Sequence, residues 1–146
     1  MKKSRILILV STLCISSCSI FSPVAEFIPE RNELKTAIVG NPYLHKIDII
    51  GGNVMGGWFE QSSNYKPGSI TPNDSGIFLR NCLLPKNKEE KMLPEKPLYN
   101  GNCVEVYGTP KKIGLIKITI SGGMYGNMFA PASRFSKDYT LDIVNP

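Results

Sequence analysis

Histidine and tryptophan are almost missing from this chain, which carries His45 and Trp58 and no others among 146 residues. Nor is there an apolar run of the roughly 20 residues that a membrane-spanning helix needs. The stretch from Ile6 to Ile15 is interrupted by Ser11 and Thr12. These shortages exclude several function classes. A lone His without a placed acid or nucleophile forms no acid–base set. No Gly-x-Ser-x-Gly elbow exists, because Ser69 and Ser75 stand beside Gly68 and Gly76 in segments that read as turns. No Cys-x-x-Cys or His-x-x-x-His spacing occurs, so no metal site is expected. The run Gly51-Gly52-Asn53-Val54-Met55-Gly56-Gly57 lacks the Lys-Ser/Thr pair of a phosphate loop and is followed by Trp58, so it reads as a glycine hairpin or bulge. Glu26, Glu30 and Glu33 lie among prolines, and Glu89 and Glu90 among lysines. None reads as a carboxylate pair with separated pKa values. Neither an enzyme nor a cofactor is expected.

What the chain does have begins at its N-terminus. Met1-Lys2-Lys3-Ser4-Arg5 is followed by Ile6-Leu7-Ile8-Leu9-Val10 and then by Ile15-Ser16-Ser17-Cys18. A charged region, a short apolar region and small residues before a cut make a secretory signal. A Cys directly after the small pair makes it similar to a bacterial lipoprotein signal. That resemblance implies cleavage before Cys18, which then carries the acyl chains; a conventionally cleaved secreted protein is the alternative. Cys14 competes less well, because it would place the bulky Leu13 at the cut. Ser19, rather than an Asp, follows Cys18 and implies the periplasmic face of the outer membrane. Several acyl chains anchor stably where one binds only marginally. Membrane contact is expected through these chains alone. Loss of Lys2, Lys3 and Arg5 lowers the formal charge of +5 by three, to +2. No clustered basic face remains to bind nucleic acid.

The expected organisation is a signal peptide over 1–17, a lipidated tether over 18–34 and a single domain over 35–146. Ser22-Pro23 and Ile28-Pro29 exclude a long helix from the tether. Beyond it the signal is repeatedly strand. His45 to Ile50 alternates Ile47 and Ile49 against Lys46 and Asp48, and Tyr139 to Val144 alternates Tyr139, Leu141 and Ile143 against Thr140, Asp142 and Val144. Thr36–Val39, Val54–Phe59, Gly76–Leu84, Val104–Tyr107 and Leu115–Ile120 are read as strands too. With 13 Gly and 11 Pro punctuating them, a mostly β domain follows, a small sandwich or a partly open barrel. Lys46 to Gly52 and Lys117 to Gly123 share their spacing. They suggest two strand–Gly-Gly-turn–strand units, since paired Gly supplies the positive φ of tight hairpins, with chance similarity between two hairpins as the alternative.

Cys82 and Cys103 remain once Cys14 leaves and Cys18 is acylated. In an oxidising compartment they are expected to form a disulfide, worth about 3 kcal/mol in the chain-entropy model. Two buried free thiols are the alternative. Between them, Pro85 to Tyr99 is too rich in Pro, Lys and Glu for a central strand. It is either a solvated connection or a recognition loop. As a recognition loop, Lys86, Lys88, Glu89, Glu90 and Lys91 form a charged rim, while Met92, Leu93 and Tyr99 supply apolar contacts. Met124-Tyr125-Gly126-Asn127-Met128-Phe129 reads first as part of a core hairpin and second as another adaptable surface.

The order Gly40-Asn41-Pro42-Tyr43, a strand ending at Gly51-Gly52, Gly56-Gly57 and Cys82-Leu83-Leu84-Pro85, behind a lipoprotein-type signal, covers residues 36–107. It resembles small periplasmic lipoproteins that act as immunity proteins against type VI secretion phospholipase effectors. The resemblance implies a non-enzymatic inhibitor whose partner is a secreted lipase effector. Two alternatives stay open: a structural lipoprotein of an envelope or secretion machine, and a ligand-carrying β-barrel with an apolar cavity.

Overall fold

Period-two alternation gives each strand one apolar face, and the molecule buries those faces against one another. The computed structural model describes residues 22–56, 66–84 and 98–146. They form β1 (Glu26–Ile28), β2 (Ala37–Ile38), β3 (Tyr43–Ile50), β4 (Gly68–Thr71), β5 (Ile77–Leu83), β6 (Tyr99–Gly108), β7 (Gly114–Met124) and β8 (Ser133–Val144), with no helix among the described residues. One sheet has the order β1-β3-β6-β5 and the other β2-β8-β7-β4. Neither closes on itself, so the fold is a sandwich of two four-stranded sheets rather than a barrel. All strand pairs are antiparallel except β2 with β8.

The alternation predicts the faces correctly. Ile47 and Ile49 are buried while Lys46 and Asp48 are exposed, and Tyr139, Leu141 and Ile143 are buried along β8. Register sets Ile47 opposite Val104 in one sheet, and Ile118 between Ile70 and Tyr139 in the other. Ile47, Val104, Val106, Ile118, Ile120, Met124, Tyr139 and Leu141 are all completely buried. Each such aliphatic side chain contributes about 1.5–3 kcal/mol by leaving water.

The segment expected to be a tether is largely part of the domain. β1 pairs with β3, Glu26 opposite Ile50, and Phe27 packs edge-on against Phe135 of the other sheet at 5.7 Å. Residues 23–34 are then stitched along β8. Ser133 Oγ donates to Pro23 O at 2.5 Å, Tyr139 Oη to Pro29 O at 2.9 Å, Lys137 Nζ to Glu30 O at 2.5 Å, Thr140 N to Asn32 O at 2.7 Å and Leu34 N to Thr140 O at 2.9 Å. The prolines do exclude helix, but extended chain that finds backbone partners needs none. The three-residue alternation of β1 is too short to be read without its partner strand.

Two other expectations are corrected. Gly51 does take positive φ, +101°, and a Cβ there would fall 1.9 Å from Val24 O, so only glycine fits. Gly122 and Gly123, however, form no turn. They lie inside β7 opposite Phe135 and Arg134, and a Cβ on Gly122 would meet the Phe135 ring at 2.8 Å. Gly122 makes room for an aromatic that closes the core. Of the strand expected over 54–59, Val54 forms an isolated bridge to Met124 and residues 57–59 lie outside those described.

Ile118→Ala removes a fully buried side chain flanked on both sides by paired strands. It is expected to lower unfolding free energy by about 2–5 kcal/mol, measured as a drop in urea midpoint at unchanged slope.

Candidate functional site

The expected recognition loop is the connection of the β5–β6 hairpin. Lys86, Lys88, Glu89, Glu90, Lys91, Met92 and Leu93 lie outside the described residues, as does Cys18. The base of the connection is described. Tyr99, half-buried, stands opposite Leu83, and Leu84 N donates to Leu98 O at 2.9 Å. Just inside this base, Cys82 and Cys103 form a disulfide, buried, with a Cα–Cα distance of 5.3 Å. The two cysteines are not opposite each other in the ladder: the register shifts between Asn81, opposite Val104, and Cys82, opposite Asn100. Such a shift strands backbone acceptors. Asn81, buried, answers with its Nδ2, which lies 3.3–3.4 Å from the carbonyls of Asn100, Gly101 and Cys103. Asn102 ties the same region to the neighbouring turn, its Nδ2 donating to Ile49 O at 2.8 Å and Gly52 O at 2.6 Å while its Oδ1 accepts from Val54 N at 3.1 Å. The hairpin base is therefore fixed by a covalent bond and by two asparagines.

Further along the same hairpin, the sheet's outward face carries a surface not anticipated from the sequence. Leu44 of β3, Tyr107 of β6 and Phe78 of β5 stand in one cross-strand row. Leu44 is 60% and Phe78 52% exposed, and the Phe78 and Tyr107 rings are 6.0 Å apart. The next row is Lys46, Glu105 and Arg80. Arg80 Nε donates to Glu105 Oε2 at 2.7 Å, Lys46 Nζ lies 3.8 Å from Oε1, and the Arg80 guanidinium stacks 4.3 Å above the Tyr107 ring. Glu105 is buried between its two cations. Its pairing with Arg80 places the guanidinium over the Tyr107 ring. The only sequence signal for this face was Leu44 falling on the Lys46 and Asp48 side of an otherwise clean alternation.

His45, the lone imidazole, points with Ile47 toward the interior and stacks on Tyr43 with ring centroids 6.5 Å apart. Its Nε2 is buried with no hydrogen-bond partner among the described residues, and desolvation lowers its pKa. Burial also pushes Tyr43 and Tyr139 up to about 12. Elsewhere charges are paired at the surface: Lys112 with Asp74, and Lys117 and Thr119 with Asp138, which holds both carboxyls below their usual range. No group of three His, Cys, Asp or Glu among the described residues could hold a metal. An open cleft of about 590 Å³ lies over β1, lined by Phe27, Ile28, Ile50, Glu26, Glu30 and Lys137. Its one ammonium is already engaged, bonded to Glu30 O and set over the Phe27 and Tyr139 rings. Comparison with protein-family models, curated protein sequences and solved structures finds no match for this chain.

Two outcomes follow from this geometry. Cys82→Ser with Cys103→Ser is expected to cost about 3 kcal/mol of stability, read by denaturant unfolding under non-reducing conditions. His45 is the second. A lowered pKa means that the folded state binds its proton less readily than the unfolded chain does, so stability declines as pH falls below about 6.5. His45→Leu should flatten that part of the pH–stability curve, measured by thermal unfolding across the range.

Proposed function

We propose that the chain is a non-enzymatic, outer-membrane-anchored periplasmic lipoprotein that binds and neutralises a secreted phospholipase-type effector, an immunity protein. The observation that carries this reading is the outward strip that crosses β3, β6 and β5. It runs from Leu44, Tyr107 and Phe78 through the Lys46–Glu105–Arg80 row and the Cys82–Cys103 bond to the base of the 85–97 connection. Binding energy at protein interfaces concentrates in aromatic and Arg side chains, and rigid presentation reduces the ordering cost of association. Tyr107, stacked under an Arg80 that is paired with Glu105, supplies both. Contiguous exposed apolar side chains on a small domain mark interaction surfaces. The lipoprotein-type signal ending at Cys18 and the resemblance over residues 36–107 supply the compartment and the kind of partner.

Neutralisation on this reading is steric. The strip seats on the effector, and residues Lys86 to Leu93, with Tyr99, are the candidates for occluding the entrance to the lipase site. Nothing is turned over, so inhibition scales with stoichiometry.

The test is periplasmic expression of the phospholipase effector with and without this protein. Protection of growth is expected with the natural chain. Tyr107→Ala with Phe78→Ala is expected to weaken binding by about 30-fold or more, the scale of a lost hot spot, measured by calorimetry, with the unfolding midpoint checked in parallel. Failure to protect, with both proteins present, overturns the reading. Loss of secretion on deletion, with toxin resistance intact, would place the chain in the secretion machine instead.

A further inference from the structure

Met128 and Phe129 occupy the two middle positions of a tight turn, where Gly, Asn, Asp or Ser usually stand. Asn127 N donates to Ala130 O at 2.8 Å, Ala130 N donates back to Asn127 O at 3.3 Å, and Asn127 Oδ1 accepts from Phe129 N at 2.8 Å. Ala130 is buried, and Gly126 lies so close beneath the turn that a Cβ would meet Ala130 O at 2.3 Å. The turn is thus built from below, and it lifts Met128 and Phe129 to 92% and 86% exposure, the highest among the large apolar side chains described. Tyr125, at 55%, and Val24, at 73%, are exposed at the same end.

A second, independent observation says what covers them. The turn closes the β7–β8 hairpin, whose last pair is Met124 with Ser133. Pro23 sits on that pair: its carbonyl accepts from Ser133 Oγ at 2.5 Å, and Gly52 is wedged between Pro23 and Met124. The described part of the chain therefore begins, at Ser22 and Pro23, at the foot of this turn. From Cys18 to Pro23 the chain spans no more than about 18 Å even when fully extended. The far end of the sandwich, at Asn41 and Gly108, lies a full β3 strand away, about 25 Å.

We infer that this end of the domain rests on the lipid bilayer, with Met128 and Phe129 dipped into the boundary between headgroups and acyl chains. The inference rests on the lipidation of Cys18 in the function proposed above and adds a second, non-covalent contact. Interfacial segments bury their apolar residues about 5–10 Å into that boundary. Arg134, exposed at the foot of the hairpin beside Ser133, adds a cation suited to anionic headgroups. The acyl chains fix the distance from the membrane, and the turn fixes the orientation. The Leu44–Tyr107–Phe78 row then lies on a side of the sandwich at the end far from the bilayer, because Tyr43 and Gly108 pair at the opposite end of β3 from Gly51.

The test uses the acylated mature protein on vesicles of phosphatidylethanolamine with a minor share of phosphatidylglycerol. A polarity-sensitive dye is attached at Ala132→Cys, beside the turn, or at Asn41→Cys, at the far end. With Cys18 acylated and Cys82 bonded to Cys103, the added thiol is the reactive one. Flotation of the protein with the vesicles reports the anchor separately. The expected result is a blue shift at position 132, quenched by a nitroxide carried high on the lipid acyl chain, with neither effect at position 41. Met128→Ser with Phe129→Ser, both at the surface, should abolish the shift and the quenching while flotation and the unfolding midpoint stay unchanged. A floating protein whose dye at 132 is as wet as at 41 overturns the inference and leaves the anchor standing. A blue shift without nitroxide quenching means that protein, including a second copy, covers the turn, and also overturns it. If the protein does not float, the anchor reading fails and the inference falls with it.

Discussion

Everything else in this molecule depends on the burial of two β faces against each other. Ile47, Ile49, Val104 and Val106 from one sheet meet Ile116, Ile118, Ile120, Leu141 and Ile143 from the other, with Tyr139 between them. These side chains are β-branched or long and apolar, and they recur at every second position, so a register slip of one residue would turn them all to solvent. That constraint fixes the register of β3, β6, β7 and β8, and through register it fixes what stands on the outside. The Lys46–Glu105–Arg80 row and the aromatic row beside it are consequences of an interior arrangement that leaves those positions outward.

A sandwich of this size still has to close its sides and ends. The N-terminal segment closes one side by lying along β8, and Tyr139 contributes twice, its ring in the core and its hydroxyl on Pro29 O. Asn102 closes one end by joining β6 to the Gly51–Val54 turn. Asn81 satisfies the carbonyls opened by the register shift beside the disulfide. Polar groups are used where the ladder is interrupted, because an unpaired buried carbonyl costs more than the side chain spent on it. The result is that the β5–β6 hairpin, which carries most of the proposed binding strip, is held at its base by covalent, ladder and asparagine contacts together.

The two proposed contacts divide the molecule along its length. The turn at Met128 and Phe129, Pro23 and the Leu84–Leu98 base share one end, while Leu44, Tyr107 and Phe78 lie toward the other. On the two proposals together, the Leu84–Leu98 base lies at the lipid-proximal end and the aromatic row at the distal one. Orientation costs little, because residues already exposed in water lose nothing by entering the interface.

The sequence alone determined the β class of the fold and the buried faces of β3 and β8, and it made Cys82 with Cys103 the expected pair. Each depends on information readable along the chain: period-two alternation, the spacing of turn residues, or the number of cysteines. Tertiary structure decided the rest. β1 is a strand because β3 offers a partner, and Gly122 is glycine because Phe135 crosses it. Leu44, Phe78, Arg80, Glu105 and Tyr107 form a surface because register aligns three strands whose residues lie far apart in the chain. The Met124–Phe129 segment divides for the same reason: Met124 is the last inward residue of β7, and four residues later the chain has turned and Met128 stands in solvent. Such groupings are properties of pairing between distant strands, which no window along the chain contains.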